Sequence, residues 1–250
     1  MQKKLLFFGL CSVLLAADVV YVSWHHKAPV EPLTFSGTQQ WDATLLKKSH
    51  EKTVFTDAEL ATIRLDPPPA NDSDITKSEL ATLHAYVARR TPEKVAEITR
   101  EIDFKTAVFG TTTIGESITK FHPNTSKLLM LANELVTPVV LREKFNYNRV
   151  RPSHLDPTLS VVLPIPGHPA YPSGHSTQSF LSASILSKLN PSMTESYYVS
   201  ALRIAHDREI AGLHYPSDTA AGKKLASQLL PLLFENSTFV DLYNRAQKEW

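Results

Sequence analysis

The chain has 250 residues, 42% hydrophobic and 20% charged, a globular composition with enough apolar material for a buried core. Its 26 Lys and Arg balance 25 Asp and Glu, so no overall field draws it to nucleic acid or to an acidic surface, and any anion site has to be built locally. With 17 prolines and 8 glycines, the composition favours helices joined by rigid turns over an all-β or Rossmann-type architecture.

Residues 1–24 read as a signal peptide or signal anchor. Lys3 and Lys4 precede an apolar run over residues 5–17 that ends in the small residues Ala16 and Ala17. Val19, Val20, Tyr21, Val22 and Trp24 extend the run toward membrane-spanning length, which leaves cleavage open. Export to the periplasm or beyond is expected, with membrane contact through this segment alone if it stays attached. The single cysteine, Cys11, lies inside it as a small apolar residue, so a processed chain would have no thiol.

Residues 25–75, ending in LDPPPANDSD, form a proline-bearing wrapping segment with one short helix near residues 57–63, and a helical domain occupies 76–250. Within it, Asp72 or Ser73 caps a helix over residues 77–90, with Leu80, Leu83, His84 and Val87 at helical spacing. PEKVAEITREIDF starts another helix with proline in its first turn. TSKLLMLANELVTPVVLREKFNY carries Leu128, Leu129, Leu131, Leu135 and Val139 around Pro138, which predicts a kink or a division. After a proline-rich loop over 149–171, helices are predicted at 174–189, at 194–211 closed by Gly212, and at 216–230.

Three stretches carry chemistry. In KFNYNRVRP, Lys144 and Arg151 lie near one face of a helix running into a loop, and Pro152 stops the helix; alone, this is a solvated basic face. In AYPSGHSTQSF, Pro172, Ser173, Gly174 and His175 stand at a helix N-terminus, where unpaired amides and the positive dipole end receive an oxyanion. Glycine admits close approach, Ser173 can cap or donate, and His175 stands at the rim. In DREIAGLHYPSD, Gly212 ends one helix, Pro216 begins the next, and His214 sits in the corner. Asp218, in the first turn, can take a hydrogen bond from one His214 nitrogen, fixing the tautomer and leaving the other lone pair outward. Lys144, Arg151 and Arg208 with two histidines supply the anion clamp, nucleophile and general acid of a metal-free phosphoryl transfer.

In this order the stretches resemble the three-part signature of the type 2 phosphatidic acid phosphatase superfamily. That superfamily includes bacterial class A nonspecific acid phosphatases, lipid phosphatases and vanadium-dependent haloperoxidases. The motifs span residues 144–218, and LDPPPANDSD, the length and the leader extend a weaker likeness to the class A acid phosphatases back to about residue 60. The resemblance implies an all-α helical bundle of the acid phosphatase and vanadium haloperoxidase type. It implies an exported, metal-independent phosphomonoesterase working through a phosphohistidine. His214 would be the nucleophile, Asp218 its orienting partner and His175 the general acid and then base, while Lys144, Arg151, Ser173, Gly174 and Arg208 hold the phosphate. Asp207 stands where many members have serine, adding a carboxylate that either weakens the Arg208 clamp or steadies it.

Other readings stay open. A haloperoxidase would hold vanadate as cofactor on His214, although the resemblance implies longer chains for that class; in a phosphatase no cofactor is expected and vanadate inhibits. A soluble body acting on a lipid phosphate is a further possibility. A metal site from His168, His175, His206 and His214 would suffer from three neighbouring cations. An exported phosphate-binding scaffold would need no oriented nucleophile. The expected partner is a small phosphorylated substrate, not nucleic acid. His154 and His168 lie beside the proposed pocket, Tyr171 and Tyr215 are candidates for its walls, and His25, His26, His50, His84 and His122 read as surface or packing residues.

Overall fold

Side-chain caps set where the helices begin. The computed structural model describes residues 32–102 and 113–250; the leader, Cys11, His25 and His26 lie outside the described residues. Thr34 caps α1 (Phe35–Thr38), Asp42 caps α2 (Ala43–Ser49), and Thr56 closes a capping box with Glu59 at the start of α3 (Asp57–Leu60). Ser73 accepts from the Thr76 amide, so α4 (Asp74–Ala88) starts earlier than hydrophobic spacing alone predicts. Thr91 and Pro92 open α5 (Pro92–Arg100), and α6 (Thr113–Phe121) follows.

The long helix α7 (Pro123–Tyr147) runs through Pro138 as one element, so the division expected there does not occur. Proline removes one amide donor, at a cost of about 3 kcal/mol in a helix interior. The carbonyl left without that donor belongs to Glu134, on the exposed side, while Val136, Val139, Val140 and Leu141 are buried around the proline. Burial of that apolar face holds the helix together across the gap. At its start, Glu249 accepts from the amides of Asn124 (2.7 Å) and Thr125 (2.9 Å), and Trp250 stacks on His122 at 3.9 Å. The far end of the chain thereby caps α7.

A short turn, α8 (Pro152–Leu155), precedes the proline-rich loop, after which come α9 (Gly174–Leu189), α10 (Thr194–Ile210), α11 (Pro216–Phe234) and α12 (Ser237–Ala246). Helix α9 is central: it packs against α10 and α11 and also touches α7, which is covered in turn by α12 and α2. Leu128, Val136, Leu181, Ile185, Leu225, Leu229 and Phe239 fill the space between them with no exposed surface. At Gly222 a Cβ would come within 2.5 Å of the Ser173 carbonyl, so α11 crosses the start of α9 at glycine distance.

The fold is all-α: among the described residues no strand forms, and the single antiparallel bridge joins Thr34 to Arg149. From Pro32 onward the chain forms one unit. Among the described residues no helix is long and apolar enough to cross a membrane.

Candidate active site

Two reversals of chain direction bring the three motif stretches together. Asn148 adopts a left-handed conformation (φ 47°) that ends α7, and the chain turns so that Val150 and Arg151 run inward, both fully buried. Gly212 (φ 79°) ends the α10 corner, where a Cβ would lie 2.9 Å from the Ser160 carbonyl. The Ser173 amide donates to the Asp218 carbonyl (3.0 Å), which ties the opening turn of α9 to the opening turn of α11.

The result is a cavity of about 520 Å³ lined by Lys144, Gly174, His175, Arg208 and His214 together with His168. Arg151 lies directly behind it, with Nη1 3.2 Å from His214 Nε2. Ser173 caps α9 through a long contact with the Ser176 amide (3.4 Å) and has no exposed surface. Gly174 approaches Lys144: a Cβ there would stand 4.0 Å from Lys144 Cε.

The tautomer of His214 follows from its neighbours. Guanidinium groups only donate, so Nε2 facing Arg151 is the lone-pair nitrogen, and Nδ1 carries the proton toward Asp218 Oδ2 at 3.2 Å. The same Asp218 oxygen accepts from the Tyr215 amide (2.9 Å). His175 is fixed in the opposite sense: its Nε2 lies 3.2 Å from the Glu101 carbonyl, which only accepts, so in the neutral ring Nδ1 is the bare nitrogen.

The cations are deeply placed. Lys144 Nζ donates to the carbonyls of Pro169 (2.9 Å) and Ala170 (3.1 Å). Arg151 spans the carbonyls of His168 and Leu213. Arg208 donates to Ile98 O (3.1 Å) and Glu101 Oε2 (2.9 Å), while its buried Nε has no hydrogen-bond partner among the described residues. Burial lowers the pKa of all three cations, and Arg151 also lowers that of Lys144. Burial and then Arg151 hold His214 well below its ordinary value, and burial and then Arg208 do the same for half-buried His175. Both imidazoles are therefore neutral near pH 7. Burial works against the Asp218 carboxylate, yet Arg149 and His214 hold it below the ordinary range. An oxyanion entering this hollow would relieve the repulsion among its cations.

Several residues of the site escape a motif-based reading. Arg149, buried against the Tyr215 ring at 3.9 Å, donates to Asp218 Oδ1 (2.6 Å) and to Glu79 Oε2 (3.2 Å). Glu79 also accepts from the Ser217 amide (2.6 Å). Glu101 holds Arg208 by its side chain and His175 by its carbonyl. Asp207 turns away from the Arg208 head and pairs with Lys94 (3.0 Å) and Arg203 (3.3 Å), so the acidic partner of Arg208 is Glu101.

Other expected placements change. Tyr171 and Tyr215 do not line the cavity: Tyr171 packs on Tyr147 and donates to the Asp66 carbonyl, and Tyr215 lies beneath Arg149. His206 pairs with Glu209 and His154 lies beside Thr38, both away from the cavity lining, while His84 has a partner in Asp156 at 2.8 Å. Among the described residues, the single convergence of three metal-type ligand atoms is Glu97, Glu101 and Asp207, and Lys94, Arg203 and Arg208 already pair with those carboxylates. The four-histidine convergence does not form.

The profile of the PAP2 superfamily matches residues 125–234, a stretch that contains every motif residue above. Over that stretch the chain is similar to the PAP2 superfamily. A non-specific acid phosphatase of Providencia stuartii is 31% identical over 81 residues; the match spans 32% of this chain and about a third (33%) of that relative. Among solved structures, an apo-type bacterial vanadium-dependent chloroperoxidase superposes with a TM-score of 0.60 at 14% identity, covering 84% of this chain and 57% of its own. A bacterial vanadium-dependent iodoperoxidase gives 0.56 at 18% identity, covering 86% and 62%. At these identities the superpositions establish that the chain shares their helical fold.

Proposed function

We propose that this protein is a PAP2-type, exported phosphomonoesterase that works without a metal and passes its phosphoryl group through His214. The observation that supports the reading most directly is the geometry around His214: it lines one cavity with Lys144, Gly174, His175 and Arg208, and Asp218 holds its Nδ1 so that Nε2 keeps the lone pair. Binding alone needs no such orientation of an imidazole.

A phosphate monoanion meets Arg208 Nε, Lys144 and the α9 amides, and draws the Arg151 Nη1 donor off the His214 lone pair. The monoanion brings its own proton, and the negative charge it adds beside His175 raises that imidazole's affinity for it. Nε2 of His214 attacks phosphorus, the ester P–O bond breaks, and protonated His175 Nδ1 passes its proton to the departing oxygen. Neutral His175 then takes a proton from water as the water oxygen attacks phosphorus. The P–N bond breaks, the electron pair returns to Nε2, and inorganic phosphate leaves.

The test is hydrolysis of 4-nitrophenyl phosphate by the purified protein in the presence of a chelator, followed by trapping with a radiolabelled substrate. An acid-labile, base-stable phosphoprotein that disappears in His214→Ala is the expected result. Absence of hydrolysis, or turnover that survives in His214→Ala, would overturn the reading.

A further inference from the structure

Above the phosphate end, the cavity wall is mostly aliphatic: Leu45, Ile102, Met130, Val140, Leu141 and Leu213 line it. Lys48, Glu134 and Thr137 also line the cavity, and two buried primary amides interrupt the apolar surface. Asn133, with no exposed surface, lines the cavity from α7; its Nδ2 donates to the Leu129 carbonyl at 2.9 Å, and its Oδ1 has no partner. Because a carbonyl only accepts, that bond fixes which end of the amide is which. Gln178, 6% exposed, lines the cavity from α9, and its Oε1 is likewise buried without a partner.

Buried carbonyl oxygens without donors are uncommon in folded proteins, and each one is costly unless something completes it. The phosphoryl steps above assign neither carbonyl oxygen a role. Their position matches the other half of the substrate. Gln178 stands one turn along α9 from Gly174, and Asn133 stands two turns along α7 from Val140, which itself neighbours Gly174. The offset puts Asn133 roughly 10 Å along the axis of α7 from the anion-binding turn, whereas the Gln178 amide lies beside that turn, its Nε2 4.0 Å from where a Cβ on Gly174 would stand.

Resting on the phosphomonoesterase reading, we infer that Asn133 selects the alcohol of the phosphoester, with Gln178 nearer its ester end. The substrate class is an elongated aliphatic alcohol phosphate that carries a hydrogen-bond donor, a hydroxyl or an N–H, several atoms from the ester oxygen. The aliphatic wall takes the carbon chain and Asn133 Oδ1 receives the distal donor. The aromatic rings on this wall, among the described residues, are the imidazoles of His168, His175 and His214.

The test compares kcat/KM for 6-hydroxyhexyl phosphate and hexyl phosphate, which differ by the donor alone, with 4-nitrophenyl phosphate as a control. The unmodified protein should favour the hydroxylated ester by about 10-fold, because the analogue without the donor leaves a buried acceptor unpaired. Asn133→Leu should bring the ratio close to 1, and Gln178→Met should lower it by a smaller factor. The first ratio needs no variant, so a variant that fails to fold leaves the test intact. A ratio near 1 in the unmodified protein, or one unchanged in folded Asn133→Leu, overturns the inference while hydrolysis of all three esters upholds the phosphatase reading. Failure to hydrolyse any of them, 4-nitrophenyl phosphate included, removes that reading and this inference together.

Discussion

Arg149 Nη1 lies 2.6 Å from Asp218 Oδ1, the carboxylate oxygen that His214 does not use. Asp218 is thus shared between a permanent cation and an imidazole, and Arg149 is itself clamped by Glu79 and the Tyr215 ring. The cation draws charge from the carboxylate, which keeps Asp218 from pulling His214 toward its protonated form. Orientation survives while basicity is restrained, and a neutral Nε2 is what attack on phosphorus requires.

Replacing Arg149 with methionine should therefore raise the pKa of His214. The acidic limb of the kcat/KM profile on 4-nitrophenyl phosphate should move to higher pH, with a loss of roughly 10-fold or more near pH 5. Arg149→Lys, which keeps the charge, should restore most of the profile. A merely structural role would lower kcat/KM by the same factor at every pH. Stability should fall by about 3 kcal/mol or more in the methionine variant, because two buried carboxylates lose their partner.

The carboxylates near Arg208 separate into two groups with different effects. Asp207 pairs with Lys94 and Arg203, both of them partly exposed, whereas Glu101 meets the Arg208 head directly and is pushed up in pKa by burial and by Asp207. Asp207→Asn should lower stability by about 2 kcal/mol yet leave the inhibition constant for phosphate within roughly 2-fold. Glu101→Ala should weaken phosphate by about 10-fold, since it frees the guanidinium that the anion needs in place. Inhibition constants and thermal melts on the same preparations check both. A larger effect of Asp207→Asn than of Glu101→Ala on phosphate affinity would reverse the assignment.

Much of this architecture is legible from residue order because its signals are local. Ser73, Pro92 and Ser173 announce helix starts, and Gly212 with Pro216 announces the corner that holds His214, since caps and turns depend on a few neighbouring residues. Glu79, Glu101, Asn133 and Arg149 are a different case. Each is an ordinary helix or loop residue in its own stretch, and its meaning comes from a partner on another element: Glu79 from Arg149, Glu101 from Arg208, Arg149 from Asp218. Pro138 shows the same limit in reverse. Its local rule predicts a break, and burial of the surrounding valines overrides it.

Vanadate adopts the charge and the trigonal-bipyramidal geometry of phosphoryl transfer, and the donor set around His214 Nε2 suits either oxyanion. The chain should therefore be inhibited competitively by vanadate at concentrations well below those needed for phosphate, and His214→Ala should lose that preference. In the same titration, halide oxidation by peroxide should stay at background. Vanadate-dependent halide oxidation, with phosphatase activity absent, would move the protein to the haloperoxidase reading. The 14% and 18% identities to the two solved peroxidases do not decide between these activities, because they establish the fold alone.

The pH dependence of stability follows from groups whose folded pKa values lie below their unfolded ones. His214 is neutral in the folded state and takes a proton near pH 6.5 when unfolded, so the unfolded chain binds more protons as pH falls from there. Stability is fully present above about pH 6.5 and declines below it by up to about 1.4 kcal/mol per pH unit for such a histidine. His168 and His175 act in the same direction, lowered by burial first and by the neighbouring cations second. Asp218, depressed by Arg149 and His214 despite its burial, adds its own loss only below about pH 4. Phosphate binding should stabilise the protein through the whole range, because the proton carried by the bound monoanion can move to His175 in the complex. Thermal melts from pH 7.5 to 5 should show a falling melting temperature without phosphate and, at pH 5 to 6, a phosphate-induced rise that is smaller in His175→Gln than in the unmodified protein. An equal rise in the two proteins would mean that His175 takes no proton from the bound anion, and its general-acid role would fall with it.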